Sequence, residues 1–183
     1  MERKTFWIEN KNEGLGELGD GLRGYASVKN VVDSYGDVIC DGAYGDLGEF
    51  VRTGFVAVGH DHSGIPVGYV TEAKEDERGL LVGMKFHSTA EAQAAKTVAD
   101  ERLAAGKRVG LSIGYLPRIW DFEMRDGRRV RLLKEIELKE FSLVTLPAAV
   151  GAEAMGIEKS YRAGIADVLE LEQAMSRAGI DKN

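Results

Sequence analysis

Residues 107–147 read KRVGLSIGYLPRIWDFEMRDGRRVRLLKEIELKEFSLVTLP, and the rest of the chain is organised around how this stretch folds. Two β-favouring runs flank Asp126-Gly127, a pair that favours a tight hairpin turn, so the stretch reads as two long paired strands. A different reading starts from Gly110, Ser112 and Gly114, which have the G-x-S-x-G spacing of the nucleophile elbow. That elbow needs a helix directly after the serine, then an acid and a histidine later in the chain. Here Pro117 follows too early for a helix, and His60, His62 and His87 all precede Ser112. The elbow reading fails and the hairpin reading stands.

Upstream, the short runs LRGYASV, GFVAV, IPVGYV and GLLVGMKF are separated by Gly and Asp clusters, which predicts antiparallel sheet before residue 87. From Ser88 the text becomes STAEAQAAKTVADERLAAGK, with Ser88 and Glu91 spaced as a capping box and Gly106 as a stop, which predicts a helix. After Pro147 the Ala- and Gly-rich AAVGAEAMGIEKSYRAG reads as a linker. IADVLELEQAMSRAG then sets Ile165, Val168, Leu169, Leu171 and Met175 near helical spacing. The expected organisation is a β domain over 1–150, followed by a linker and helical tail over 151–183.

Composition narrows the partners. A chain of 183 residues with 44% hydrophobic and 30% charged side chains is long enough for one domain with a real core. Its formal net charge of −6 gives a field that would repel nucleic acid and anionic membranes. Cys40 is the single cysteine, so there is no internal disulfide, which suits a reducing compartment. No apolar stretch approaches the roughly 20 residues that cross a bilayer, and the N-terminal segment lacks a signal-peptide core. A cytoplasmic setting is expected.

A serine nucleophile needs a base and an orienting acid, in any chain order. The base candidate lies in VAVGHDHSGIPVG, where Val56, Val58 and His60 would share one face of a strand. A histidine there can equally be a hydrogen-bonded core or rim residue. The acid candidate is Glu140. Alternation puts it in a row with Ile136, Leu138, Ser142, Val144 and Leu146, where a carboxylate breaks an apolar face. Buried alone, that charge would cost several kcal/mol, so it needs an imidazole, an arginine or water beside it. Other chemistries stay open. His60 and His62, two apart, could bind zinc with His87 or Asp61. Cys40 reads as inert packing rather than a thiol nucleophile, Ser27 as strand packing, KEDERG as a solvated hairpin tip, and Trp7, Trp120 and Phe122 as core or interface aromatics.

Four segments occur in order: GYASVKNVVDSYGDVICDGAY, GHDHSGIPVG, GKRVGLSIGY and KEFSLVTLPA. Through them the sequence resembles the prohead (capsid maturation) serine proteases of tailed bacteriophages, distant relatives of the herpesvirus assemblins. The resemblance implies an α+β, mainly β fold: an antiparallel β-barrel wrapped by a few helices. Position by position it carries a catalytic triad onto His60, Ser112 and Glu140. His62 competes locally for the base, but the spacing from His60 to Pro66 matches the family pattern better. Glu140 stands where the herpesvirus enzymes use a second histidine. Oxyanion donors are expected in the turn after Thr145, at Leu146, Ala148 and Ala149.

The implied activity is a serine endopeptidase that needs no metal or cofactor. It would clip scaffold segments and extensions of the major capsid protein, and itself, inside the assembling prohead in the host bacterial cytoplasm. A homodimer or higher oligomer is expected there. The competing expectations are a capsid-assembly or scaffold-like protein without catalysis, and a metal-dependent hydrolase using His60 and His62.

Overall fold

The computed structural model describes residues 2–8, 21–33, 35–125 and 127–145, all within the unit Met1–Ala152. Asp126 of the expected turn and the expected linker and tail over 151–183 lie outside the described residues. Among the described residues, eight strands and two helices follow in chain order: β1 (Glu2–Ile8), β2 (Gly21–Val28), β3 (Asp37–Ile39), α1 (Leu47–Thr53), β4 (Phe55–Val58), β5 (Gly68–Glu75), β6 (Gly79–Phe86), α2 (Ala90–Ala104), β7 (Val109–Arg125) and β8 (Arg128–Val144). Among the described residues no helix is long and apolar enough to cross a membrane.

The two β-favouring runs of the stretch 107–147 pair as the sequence predicts. β7 and β8 are 17 residues each and pair antiparallel from Gly110↔Val144 out to Arg125↔Arg128. Gly127, at φ 74, supplies a left-handed position that a side chain adopts only with strain. Around the hairpin the sheet runs β1-β7-β8-β4-β5-β6-β2, and the two ends, β1 and β2, approach each other, so the sheet curls. Its concave side holds the core, where Leu80, Met84, Leu111, Ile113, Leu133 and Phe141 are essentially without solvent contact. Each such side chain contributes about 1.5–3 kcal/mol by leaving water.

The sheet is mixed, which corrects the expectation of an antiparallel barrel. β3 pairs in parallel with Arg131–Leu133 of β8, and β4 in parallel with Glu140–Leu143. Both short strands lie along one edge of the long β8, and the chain advances in a single direction between them through α1. The apolar runs gave no sign of strand direction, because direction is set by what a strand meets, not by its own pattern.

Helix α1 falls in a segment whose glycines suggested only turns. Asp46 caps it by accepting from the Glu49 N–H at 2.8 Å, and Phe50 is buried on its inner face. Helix α2 matches expectation with its cap moved by one residue. Thr89, not Ser88, accepts from the Ala92 N–H, and Gly106 at φ 67 follows the last turn. KEDERG is a hairpin tip, where Asp76 accepts from the Arg78 and Gly79 N–H groups. Trp120 and Phe122 stand half-exposed on the β7 arm, with the Arg129 guanidinium 3.7 Å above the Phe122 ring.

A register shift between Gly114 and Tyr115 decides where the polar residues of β8 go. Tyr115 faces Leu138 while Gly114 faces Glu140, so β8 carries one extra residue there. Ile136 and Leu138 lie in the core before this bulge, and Phe141 and Leu143 lie in it afterwards. Simple alternation would have kept Glu140 in the apolar row. The bulge instead hands Glu140 and Ser142 to the opposite face, where their cross-strand partners are Gly114 and Ser112.

Candidate active site

Three strands converge on this outer face. Ser112 of β7 lies opposite Ser142 of β8, which in turn lies opposite Ala57 of β4. Beyond β4 the Gly59 N–H still bonds the Leu143 carbonyl at 2.8 Å, and there the chain turns sharply. Gly59 and His60 both take φ 61, a left-handed conformation that costs a non-glycine residue on the order of 1–3 kcal/mol. This corrects the expected strand placement of His60. The turn aims its ring away from Val56 and across the face that carries Ser112 and Glu140.

The ring bridges those two residues. His60 Nδ1 lies 2.6 Å from Glu140 Oε1, and His60 Nε2 lies 2.6 Å from Ser112 Oγ. An ionised carboxylate only accepts, so Nδ1 carries the proton and donates it. Nε2 is left as the acceptor for the Ser112 O–H. Ser142 Oγ donates to Glu140 Oε2 at 2.7 Å and accepts the His60 backbone N–H at 3.1 Å. Ser112, Glu140 and Ser142 have no solvent exposure, and His60 retains 7%. A carboxylate buried to this depth needs such hydrogen-bond partners on both oxygens to offset its lost hydration.

Room for the carboxylate comes from Gly114. A Cβ there would stand 2.1 Å from Glu140 Oε1, 2.9 Å from its Cδ and 3.0 Å from its Cγ. Glu140 is held on both oxygens and cannot swing aside freely. Gly114→Ala is expected to displace it from His60, lowering kcat about 100-fold by loss of alignment and stability by about 1–3 kcal/mol through overpacking. Steady-state kinetics beside a thermal melt check both. An unchanged kcat would mean that the carboxylate position does not matter.

His62 approaches the same Glu140 Oε1 at 3.6 Å from the solvent side, its ring edge-on to Phe55. Among the described residues, His60, His62 and Glu140 form a group with metal-ligand spacing. The other two ligands considered from sequence are not brought to it. Asp61 accepts from the Ser63 N–H and hydroxyl, which hold its carboxyl below the usual range, and His87 packs against the Tyr69 ring. A metal on His60 would have to break one of its two short hydrogen bonds.

Cys40 donates its backbone N–H to Leu133, and Ser27 receives the buried Tyr44 hydroxyl, both consistent with packing roles. Leu146, Ala148 and Ala149 lie outside the described residues. Two residues of the site went unremarked in the sequence as functional, Ser142 and Gly114. Their only signals were local: Ser142 two residues after Glu140, and Gly114 two residues after Ser112.

Comparisons with known proteins bear on this arrangement. The bacteriophage T4 capsid assembly protease shares the fold, with a TM-score of 0.52 at 12% identity, over 80% of this chain and 100% of that one. The prohead protease of Enterobacteria phage HK97 is 34% identical over 141 residues, 71% of this chain. The chain spans 58% of the length of that curated relative. The profile of the caudovirus prohead serine proteases matches residues 7–164, a span that includes the hairpin, the turn at His60 and all four residues of the hydrogen-bonded cluster. On that match the chain belongs to the caudovirus prohead serine protease family.

Proposed function

We propose that this chain is a serine endopeptidase of phage capsid maturation, with Ser112 as nucleophile, His60 as general base and Glu140 as the orienting acid. Its substrates are scaffold segments and extensions of the major capsid protein, and the chain itself, within the assembling prohead. The observation that carries the reading is the unbroken chain of hydrogen bonds Ser112–His60–Glu140, each link 2.6 Å. Ser112 Oγ attacks the scissile carbonyl carbon while its proton passes to His60 Nε2, and Glu140 stabilises the imidazolium. The C–N bond then breaks as His60 returns the proton to the leaving amine. Water, deprotonated by His60, releases the acyl group and restores Ser112.

The test is cleavage of a co-expressed cognate capsid protein by the full chain, with and without a metal chelator. This reading predicts equal rates with EDTA present and absent. The rival hydrolase with a metal on His60 and His62 predicts loss of cleavage in EDTA and its return with added zinc.

A further inference from the structure

Ser142 is a second buried serine in the cluster, and its contacts differ in kind from those of Ser112. Ser112 Oγ faces an imidazole nitrogen that can take its proton. The Ser142 proton is committed to the Glu140 carboxylate at 2.7 Å, and one of its lone pairs takes the His60 backbone N–H at 3.1 Å. A hydroxyl has one proton to give, and the carboxylate that receives it from Ser142 is a far weaker base than an imidazole, so Ser142 is not activated as Ser112 is. What it does have is a hold on both members of the base–acid pair at once.

We propose that Ser142 is a positioning residue, whose hydroxyl fixes the His60 backbone and the second oxygen of Glu140 so that the imidazole meets Ser112 in line. The proposal rests on the triad reading above. Two structural needs meet in this hydroxyl. The first is at His60. Past Val58 the β4–β8 ladder gives one more backbone bond, Gly59 N–H to the Leu143 carbonyl, and the next amide has left the ladder. That amide belongs to His60, at φ 61 and buried. Left unbonded, it would favour a return to extended backbone, which would carry the ring off Ser112. Ser142 accepts it and holds the turn.

The second need is at Glu140. Oε1 is taken by His60, and a carboxylate held through one oxygen can rotate about its Cγ–Cδ bond. The Ser142 proton on Oε2 removes that freedom and sets the carboxylate plane. Both tasks fall to one atom because the extra residue of β8 puts Glu140 and Ser142, two apart, on the face that carries Ser112. The flanking glycine completes the arrangement, since the carboxylate lies in the space that a Cβ at Gly114 would fill.

The experiment uses the full-length chain and a peptide spanning a cleavage junction mapped on the co-expressed capsid protein, for wild type, Ser142→Ala, Ser142→Thr and Ser112→Ala. Ser142→Ala is expected to lower kcat about 10–100-fold with KM within about 2-fold, as misalignment of reacting groups does. It is also expected to broaden or lose the downfield proton NMR signal of the His60 Nδ1–H···Glu140 bond. Ser142→Thr, which keeps the hydroxyl, restores most of both. If Ser142→Ala does not fold, Ser142→Cys, similar in size but a weak donor, takes its place with the same expected outcome. Wild-type kcat in Ser142→Ala beside an inactive Ser112→Ala would overturn this inference and leave the triad intact. So would a loss tracking the melting temperature alone, with no rescue by threonine and no change in the signal. Activity retained in Ser112→Ala would instead remove the triad reading on which the inference rests.

Discussion

With Ser112 as the proposed nucleophile, Ser112→Ala is expected to lower the cleavage rate by about 10,000-fold or more, to the level left by binding and oxyanion stabilisation. The chain still folds. Ser112 makes one side-chain hydrogen bond to His60 within a strand held by β1 on one side and β8 on the other. Losing that bond costs about 1 kcal/mol, and alanine fills nearly the same space. The imidazole keeps its bond to Glu140, so the rest of the site remains assembled. The check is kcat together with a melting curve on one preparation. A small rate loss with an unchanged melt would mean that the hydrogen bond to His60 is a packing contact and that the nucleophile lies elsewhere.

Glu140→Gln is expected to cost about 10,000-fold in kcat, the scale seen when an orienting carboxylate becomes an amide. The reasoning follows the proton count. In the native site both carboxylate oxygens accept, Oε1 from His60 and Oε2 from Ser142. An amide has one accepting oxygen and an NH2 that must donate. If the oxygen faces His60, the NH2 meets the Ser142 proton, and Ser142 must turn its hydroxyl away. If the oxygen faces Ser142, the NH2 meets His60 Nδ1, which then accepts, and the ring proton moves to Nε2. A protonated Nε2 cannot take the Ser112 proton. Size is conserved, so the melting temperature moves little compared with Gly114→Ala. A pH–rate profile for Glu140→Gln that matched wild type in height would contradict the assigned role.

Much of the site was legible in the sequence because its residues sit in short, strongly patterned segments. Ser112 between two glycines, His60 in GHDHSGIPVG and Glu140 as the one charge in an apolar row each drew attention for a physical reason. Hairpin and α2 were legible too, since turn residues and caps act locally. What stayed hidden depends on structure that the pattern does not encode. The row containing Glu140 was read by alternation, yet one extra residue at the Gly114/Tyr115 shift moves Glu140 to the other face. The charge therefore breaks no core row.

Alternation alone places His60 on a strand with Val56 and Val58, but it takes a left-handed φ and its backbone N–H bonds the Ser142 hydroxyl, 82 residues away. Parallel pairing of β3 and β4 with β8, and the helix α1 that makes it possible, arise the same way. The glycines around Asp46 masked a working cap, because each glycine alone argues for a turn.

The most direct test of the account is intact mass over time for the major capsid protein co-expressed with the full chain as wild type, Ser112→Ala or Ser142→Ala. Truncated products with wild type, slower accumulation with Ser142→Ala and none with Ser112→Ala are the predicted result. Equal truncation with wild type and Ser112→Ala, or truncation lost only with Ser142→Ala, would contradict the assignment of Ser112 as the nucleophile.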